Sequence, residues 1–428
     1  MTQTQTCKTP ACRQARCAHC SSPFPIAPED EAFYAKLCVP APTLCPPCRE
    51  QRRLSWRNEH HLYKRTCDLC KKPIISIYKT QTPFPVYCSD CWWSDKWDPL
   101  NYAQEPDFTR PFFEQFATLV NEVPHLAIIN RNSTNSEYTN LCEHNKNCYL
   151  LVESSDNEDC LYSYWIQNSQ DLVDCSFCDK CTLCYDCDNC ENCYNLDNSK
   201  NCKDCRDSSL LENCIGCSNC KSCTNLVQKE NYYMNRRIRP NPNHSKQKNL
   251  KEEPKKYAQI SKSENCTGDY ITHSKNCHHC FHAQDAEECR YSCHVWRNSK
   301  YVMDCDTVGM DSELCYECIN TAIKSYNDKF CNRCWTVSDS CYCIDCDNSQ
   351  NLFGCISLNH RKYCILNRQY SREEYERLRA LLIAHMRSTD EYGEFFPAEL
   401  SPFEYEESAA NLYFPYNDHH GKSNTPNL

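Results

Sequence analysis

Between Cys175 and Cys193 the chain reads CSFCDKCTLCYDCDNCENC, a cysteine at every third position. The seven thiols are Cys175, Cys178, Cys181, Cys184, Cys187, Cys190 and Cys193. Three environments hold thiols this densely: a set of metal ligands, a set of disulfide halves, or the inner row of a narrow solenoid. The wider pattern favours the last. After Asn135 cysteines recur at steps of 9 and 12, which sum to 21, as in Cys181 to Cys202, Cys193 to Cys214 and Cys202 to Cys223. Cys334 to Cys355 and Cys343 to Cys364 keep the same step. A repeat of about 20 residues means stacked coils. With little helical periodicity, these read as a β-solenoid of about 21 residues per coil.

The solenoid reads as duplicated. At an offset of 132 residues, Cys202, Cys214 and Cys223 fall on Cys334, Cys346 and Cys355, and LVQKENYYMN from Leu226 aligns with LNHRKYCILN from Leu358. The expected segments are 135–235 and 263–368, about five coils each. Between them 236–262 is a basic, Pro- and Lys-rich linker. Asn147, Asn192, Asn201, Asn213, Asn219 and Asn231 flank the inward positions. Asn accepts left-handed backbone and can stack in ladders, so these are expected at corners.

A narrow coil admits small inward side chains, and free cysteine is a small, readily buried hydrophobe. From Asp171 to Asp197 there are seven acids and one base, Lys180. Negative surroundings disfavour thiolate, so the reading preferred here is a column of buried neutral thiols. A further soft metal (Zn2+ or an iron–sulfur centre) and a ladder of disulfides are the alternatives.

The N-terminal cysteines have a different spacing. Cys17-x2-Cys20 is followed after 24 residues by Cys45-x2-Cys48, and Cys67-x2-Cys70 after 17 by Cys88-x2-Cys91. Paired CxxC knuckles at such spacings point to tetrahedral four-thiolate Zn2+ sites. Four protein ligands leave no open position, so both read as structural, each contributing on the order of 10 kcal/mol to folding. The first ribbon with a basic helix spans 1–66 and the second ribbon 67–105. Trp92, Trp93 and Trp97 are expected to cover the second site. A helix within 106–134 carries Phe112, Phe113, Phe116, Leu119 and Val120 on its apolar face. It reads as the cover of a solenoid end, with Asp107 or Thr109 as its cap.

Cysteine makes up 42 of the 428 residues. That density in a small secreted chain would signal a disulfide scaffold. The start MTQTQTCKTPACRQAR has no apolar core of a signal peptide, and no window suits a membrane span. The expectation is therefore a cytoplasmic protein with reduced or metal-bound cysteines. Net charge is −10, yet Arg49 to Arg65 holds six basic residues against two acids. Arg49, Arg52, Arg53 and Arg57 recur at helical spacing, interleaved with Trp56 and Tyr63. Phosphate contact with nucleic acid is one reading of them. A solvated helix that buries Trp56 is the other. In 369–428, Ser371 and Glu374 form a capping-box pattern ahead of a stripe Tyr375, Leu378, Leu381 and Leu382. An acidic, aromatic tail follows from Glu391 and is expected to wrap the body or bind a partner.

The stretch CAHCSSPFPIAPEDEAFYAKLCVPAPTLCPPCREQRR resembles the bacterial zinc-ribbon family of treble-clef type. The order of LYKRTCDLC, PVYCSDCWWSDKWDP, DFTRPFFEQF and YCILNRQYSREEYERL is similar to that of a family of cysteine-rich zinc-ribbon proteins from ultrasmall candidate-phylum bacteria. The resemblance spans most of residues 15–380 and implies zinc binding without a particular activity.

No catalytic constellation stands out. The sequence reads as a non-catalytic, zinc-stabilised scaffold whose partner is RNA, a ribonucleoprotein or another protein. The alternative is a thiol-rich metal store or redox buffer that uses the solenoid cysteines.

Overall fold

The structure is a computed structural model that describes residues 12–188, 194–200, 205–238, 257–296, 298–309, 316–317, 319–322, 330, 332–333 and 335–415. It is mainly β, with a β-solenoid of about 15 turns. The described helices are α1 (Pro28–Lys36), α2 (Pro46–Leu54), α3 (Ser89–Trp92), α4 (Phe112–Glu122), α5 (Arg372–Ser388) and α6 (Ala409–Tyr413).

The two N-terminal units share one plan. In each, a short hairpin (Arg13–Arg16 with Pro23–Ile26, then Tyr63–Thr66 with Pro73–Ser76) carries a CxxC pair in its turn. The turns close alike: Cys17 N–H donates to Ser22 O and Cys67 N–H to Lys72 O. Ser21 and Lys71 supply the left-handed residue, at φ 61° and 63°. The second CxxC pair of each unit starts a helix, with Cys45 as N-cap of α2 and Cys88 as N-cap of α3. Thiolate charge there meets the positive helix end.

The solenoid is built from triplets. In the first segment an inward residue, an outward residue and a corner residue repeat from Cys142 through Cys187. The corners are left-handed without glycine: Asn147, Asp159, Tyr162, Asn168 and Lys180 all lie at φ between 49° and 57°. Four triplets complete one square coil, so stacked residues are 12 apart: Thr182 pairs with Gln170, Cys184 with Leu172 and Ser209 with Lys221. The coil is therefore 12 residues long, not 21. The expected period of 21 is the distance between two differently placed inward thiols, not one full turn. The seven thiols are likewise not a single column. Successive ones occupy successive sides of a coil, and the true columns join residues such as Cys175 and Cys187.

Hydrogen bonding explains why so many inward residues are cysteine or serine. Outward N–H groups donate up the stack, as Lys146 N to Asn157 O, and corner N–H groups donate down it, as Asn147 N to Thr134 O. The inward N–H is then satisfied by a side chain one coil below: Cys175 N donates to Ser163 Oγ at 3.1 Å and Cys181 N to Ser169 Oγ at 3.1 Å. Inward thiols donate to carbonyls, as Cys148 Sγ to Lys146 O at 3.2 Å. A small side chain with both a donor and an acceptor fits the narrow tube and leaves few backbone groups orphaned. Asn ladders form as expected: Asn219 Nδ2 donates to Asn231 Oδ1, and Asn135 Nδ2 to Asn147 Oδ1. Asn192 and Asn201 lie outside the described residues. The second segment takes extra residues in some coils, where Glu287 pairs with Lys300 and Met303 with Tyr316, each 13 apart.

Both segments end in the same device. Glu230–Tyr233 folds back on Arg236–Arg237, and Lys362–Ile365 on Arg368–Gln369, as antiparallel hairpins. The turns hold paired left-handed residues, Met234 with Asn235 and Leu366 with Asn367. Asn235 bonds both N and O of Thr224, and Asn367 both N and O of Ile356, at 2.8 and 2.9 Å. An antiparallel return cannot template a further parallel coil, so each hairpin stops its stack.

The two segments touch along one corner column each, running in opposite directions. Glu153 meets Thr307, Trp165 stacks on His294 at 5.2 Å, and Phe177 stacks on His282 at 4.2 Å. Helix α4 does not cover a coil end. It packs on a corner column of the second segment, where Phe330, Tyr342, Gly354 and Leu366 follow at intervals of 12 and are all left-handed. Gly354 leaves a notch for Phe112: a Cβ there would meet the Phe112 ring at 2.8 Å. The cap of α4 is also not local, since Glu391 accepts from the N–H groups of Phe112 and Phe113 at 2.9 and 2.8 Å. Helix α5 starts as expected, with Ser371 Oγ accepting from Glu374 N. Its buried stripe is Tyr375, Leu382 and Met386, whereas Leu381 is exposed. The tail wraps the body: Phe396 stacks on Phe116, Phe403 on Tyr78, and Trp56 Nε1 donates to Pro397 O.

Candidate metal centres

Each N-terminal unit brings its four sulfurs together. The ligand atoms of Cys17, Cys20, Cys45 and Cys48 all lie within 4.8 Å of one another, as do those of Cys67, Cys70, Cys88 and Cys91. The Cys20–Cys45 and Cys70–Cys88 sulfurs are 3.7 and 3.8 Å apart. A tetrahedral ion with metal–sulfur bonds of about 2.3 Å has edges of about 3.8 Å, so the thiols fit a four-sulfur site. Burial pushes Cys45 up to about 11 and Cys91 up to about 12. In contrast the Ser22 hydroxyl draws Cys20 down to about 6, and backbone amides of Cys70 and Cys88 outweigh burial to bring Cys67 to about 7. Four thiolates at this spacing need a cation between them. Around the second centre, Trp97 packs on Trp92 and Tyr87. Trp93 remains 45% exposed and lies over the Arg131 guanidinium.

The arginines of α2 and its extension are not on an open surface. Arg49 donates to Asp304 at 2.9 Å, Arg53 to Asp306 at 3.0 Å, and Arg52 to both Glu317 and Glu394 at 2.7 Å. Arg57 pairs with Glu59 and Glu153. Burial alone would lower the pKa of Arg53 and Arg57, but the carboxylates outweigh it and hold both above the ordinary value. The expected phosphate contact through Arg49, Arg52, Arg53 and Arg57 is therefore corrected. These guanidiniums hold α2 against Asp304, Asp306, Glu317 and Glu153 of the solenoid, and a phosphate would have to displace a buried carboxylate. Trp56 is 1% exposed, as in the core reading of the helix.

Cys175, Cys178, Cys181, Cys184 and Cys187 point inward and are at most 3% exposed. Cys190 and Cys193 lie outside the described residues. No described cysteine is paired in a disulfide. Burial raises Cys142 and Cys214 to about 12 and holds Cys355 well above the ordinary value, whereas hydrogen bonds from the Cys178 and Cys187 thiols draw Cys175 down to about 4. The described metal-capable groups of three or more ligands include no inward solenoid thiol.

A third group escaped the sequence reading. Glu50, Cys293 and Asp306 bring one ligand atom each to within 4.8 Å of one another. Counted in threes, Cys293 sits at an outward position after inward Ser292. Only the 12-residue register makes that visible.

No family model matches the chain, and no curated protein resembles it. Among the described residues no helix is long and apolar enough to cross a membrane.

Proposed function

We propose that the chain is a non-catalytic, zinc-stabilised scaffold of a reducing, cytoplasmic compartment. Two treble-clef-like zinc ribbons anchor a rigid solenoid that offers its outer columns to a protein partner. The carrying observation is the position of α2. It begins at the second ligand pair of the first centre and ends clamped on the solenoid by buried arginine–carboxylate pairs. A closed four-thiolate site at that point has a mechanical role, because it holds the helix in its clamp. Exposed apolar side chains collect on the first segment, among them Tyr149, Tyr162, Leu183, Leu210, Ile215 and Val227. Such exposure suits protein contact. With net charge −10 and the α2 arginines internal, nucleic acid is the less favoured partner.

Metal titration of the reduced full chain tests this reading against storage. A scaffold saturates with Zn2+ or Cu+ at the ribbon scale, two or three ions. A store takes up many, and uptake of ten or more ions per chain would overturn the proposal. Purified protein with a nucleic-acid-like absorbance ratio would overturn the choice of a protein partner.

A further inference from the structure

We infer that Glu50, Cys293 and Asp306 form a third metal site, of a different kind from the ribbon centres, at the junction of α2 and the second solenoid segment. Cys293 and Asp306 begin the neighbouring parallel strands Cys293–Trp296 and Asp306–Gly309 and are direct cross-strand partners. Their side chains are thus set side by side by the coil stack. Glu50 closes the triangle from α2, two residues beyond the ribbon ligand Cys48. The first ribbon and the solenoid each contribute part of one site.

The surroundings favour a divalent cation. Glu50 has no hydrogen-bond or ion-pair partner among the described residues. Asp306 is held at Oδ2 by Arg53, and ligating carboxylates are commonly fixed in this way by a second hydrogen bond.

The donor set selects the ion. One thiolate excludes Mg2+ and Ca2+, and two carboxylates disfavour Cu+, which leaves a borderline divalent ion of the Zn2+ class. Three protein ligands leave a fourth position for water or a ligand, unlike the closed ribbon sites.

The test uses full-length protein reconstituted with excess Zn2+ under reducing conditions and then desalted. Wild type is expected to hold three Zn2+ per chain. Cys293→Ala and Glu50→Gln are each expected to hold two, with hydrogen-exchange protection of α2 retained. Cys38→Ala, which removes an exposed thiol elsewhere, keeps three. With Co2+, Cys293→Ala removes one of nine cobalt–thiolate bonds and lowers the charge-transfer band by about a ninth. Two Zn2+ in wild type would overturn the inference, as would three in both site variants. Either result leaves the ribbon count intact and so leaves the scaffold reading standing.

Discussion

Arg49 and Asp304 are 255 residues apart in the chain and meet at 2.9 Å, with neither side chain more than 2% exposed. Asp304 also faces Arg53 at 3.6 Å, so one corner carboxylate answers two guanidiniums. Removing it strands the Arg49 charge and leaves Arg53 with Asp306 alone. Asp304→Ala should cost about 3–5 kcal/mol in denaturant unfolding. Arg49→Met combined with Asp304→Leu should recover much of that loss. A double variant as unstable as the single one would show that the charges, and not the contact, are required.

If the four-cysteine groups hold a metal ion, stripping it should free α2 before it disturbs the coils. With a strong chelator, amide protection across Arg49–Arg57 should fall while protection at Cys142–Cys187 persists. Each site is worth on the order of 10 kcal/mol of apparent binding energy, so melting of the N-terminal units should accompany metal loss. Hydrogen exchange read by mass spectrometry resolves the order.

The notch at Gly354 predicts a size-dependent defect with a rescue. Gly354→Val places a branched side chain at φ 63° and against the Phe112 ring. Strain and overpacking together should cost about 2–4 kcal/mol. Phe112→Ala in that background relieves the overlap and leaves only the strain, so the loss from the second change should be smaller than in wild type. A thermodynamic cycle on melting curves measures the coupling.

Inside the tube, hydroxyl and thiol should be exchangeable, but neither should be replaceable by methyl. Ser163 accepts from Cys175 N and donates to Leu161 O. Ser163→Ala leaves the Cys175 N–H without its acceptor, while Leu161 O keeps the Asp174 N–H, and should cost about 1–3 kcal/mol, whereas Ser163→Cys should stay within about 1 kcal/mol. Brief alkylation of native protein should modify Cys38 and spare Cys175 and Cys178, as peptide mapping would show.

Acid should loosen the seam between the solenoid segments. Burial draws His282 down to about 4 and His294 further below its ordinary value. The unfolded imidazoles take a proton near pH 6.5 while the folded ones do not. Stability is therefore full above that pH and falls as pH drops toward 4, by up to about 1.4 kcal/mol per unit for each histidine. His282→Leu should remove one histidine's share of this slope, measured as the difference in unfolding midpoint between pH 7 and pH 5.

The two four-cysteine groups were legible because their spacing is a local property: Cys17 and Cys20 lie in one turn, and Cys45 and Cys88 each start a helix. The inward thiols were legible by composition, but their period was not. Serine, leucine and asparagine share the inward sites with cysteine, so Cys-to-Cys distances sample several columns at once. Contacts across long separations were invisible. Nothing near Arg53 announces Asp306, and nothing near Phe112 announces that Glu391 caps it. The same holds for Cys293, whose departure from the inward phase has meaning only once the phase is known.

The paired corner columns act as a vernier. Each hairpin stop allows a stack to grow or shrink only by whole coils. Yet Trp165 and Phe177 must land opposite His294 and His282, so a coil gained by one stack shifts every rung by about 4.8 Å against its neighbour. The two stacks are rods whose mutual grip locks the lengths of both.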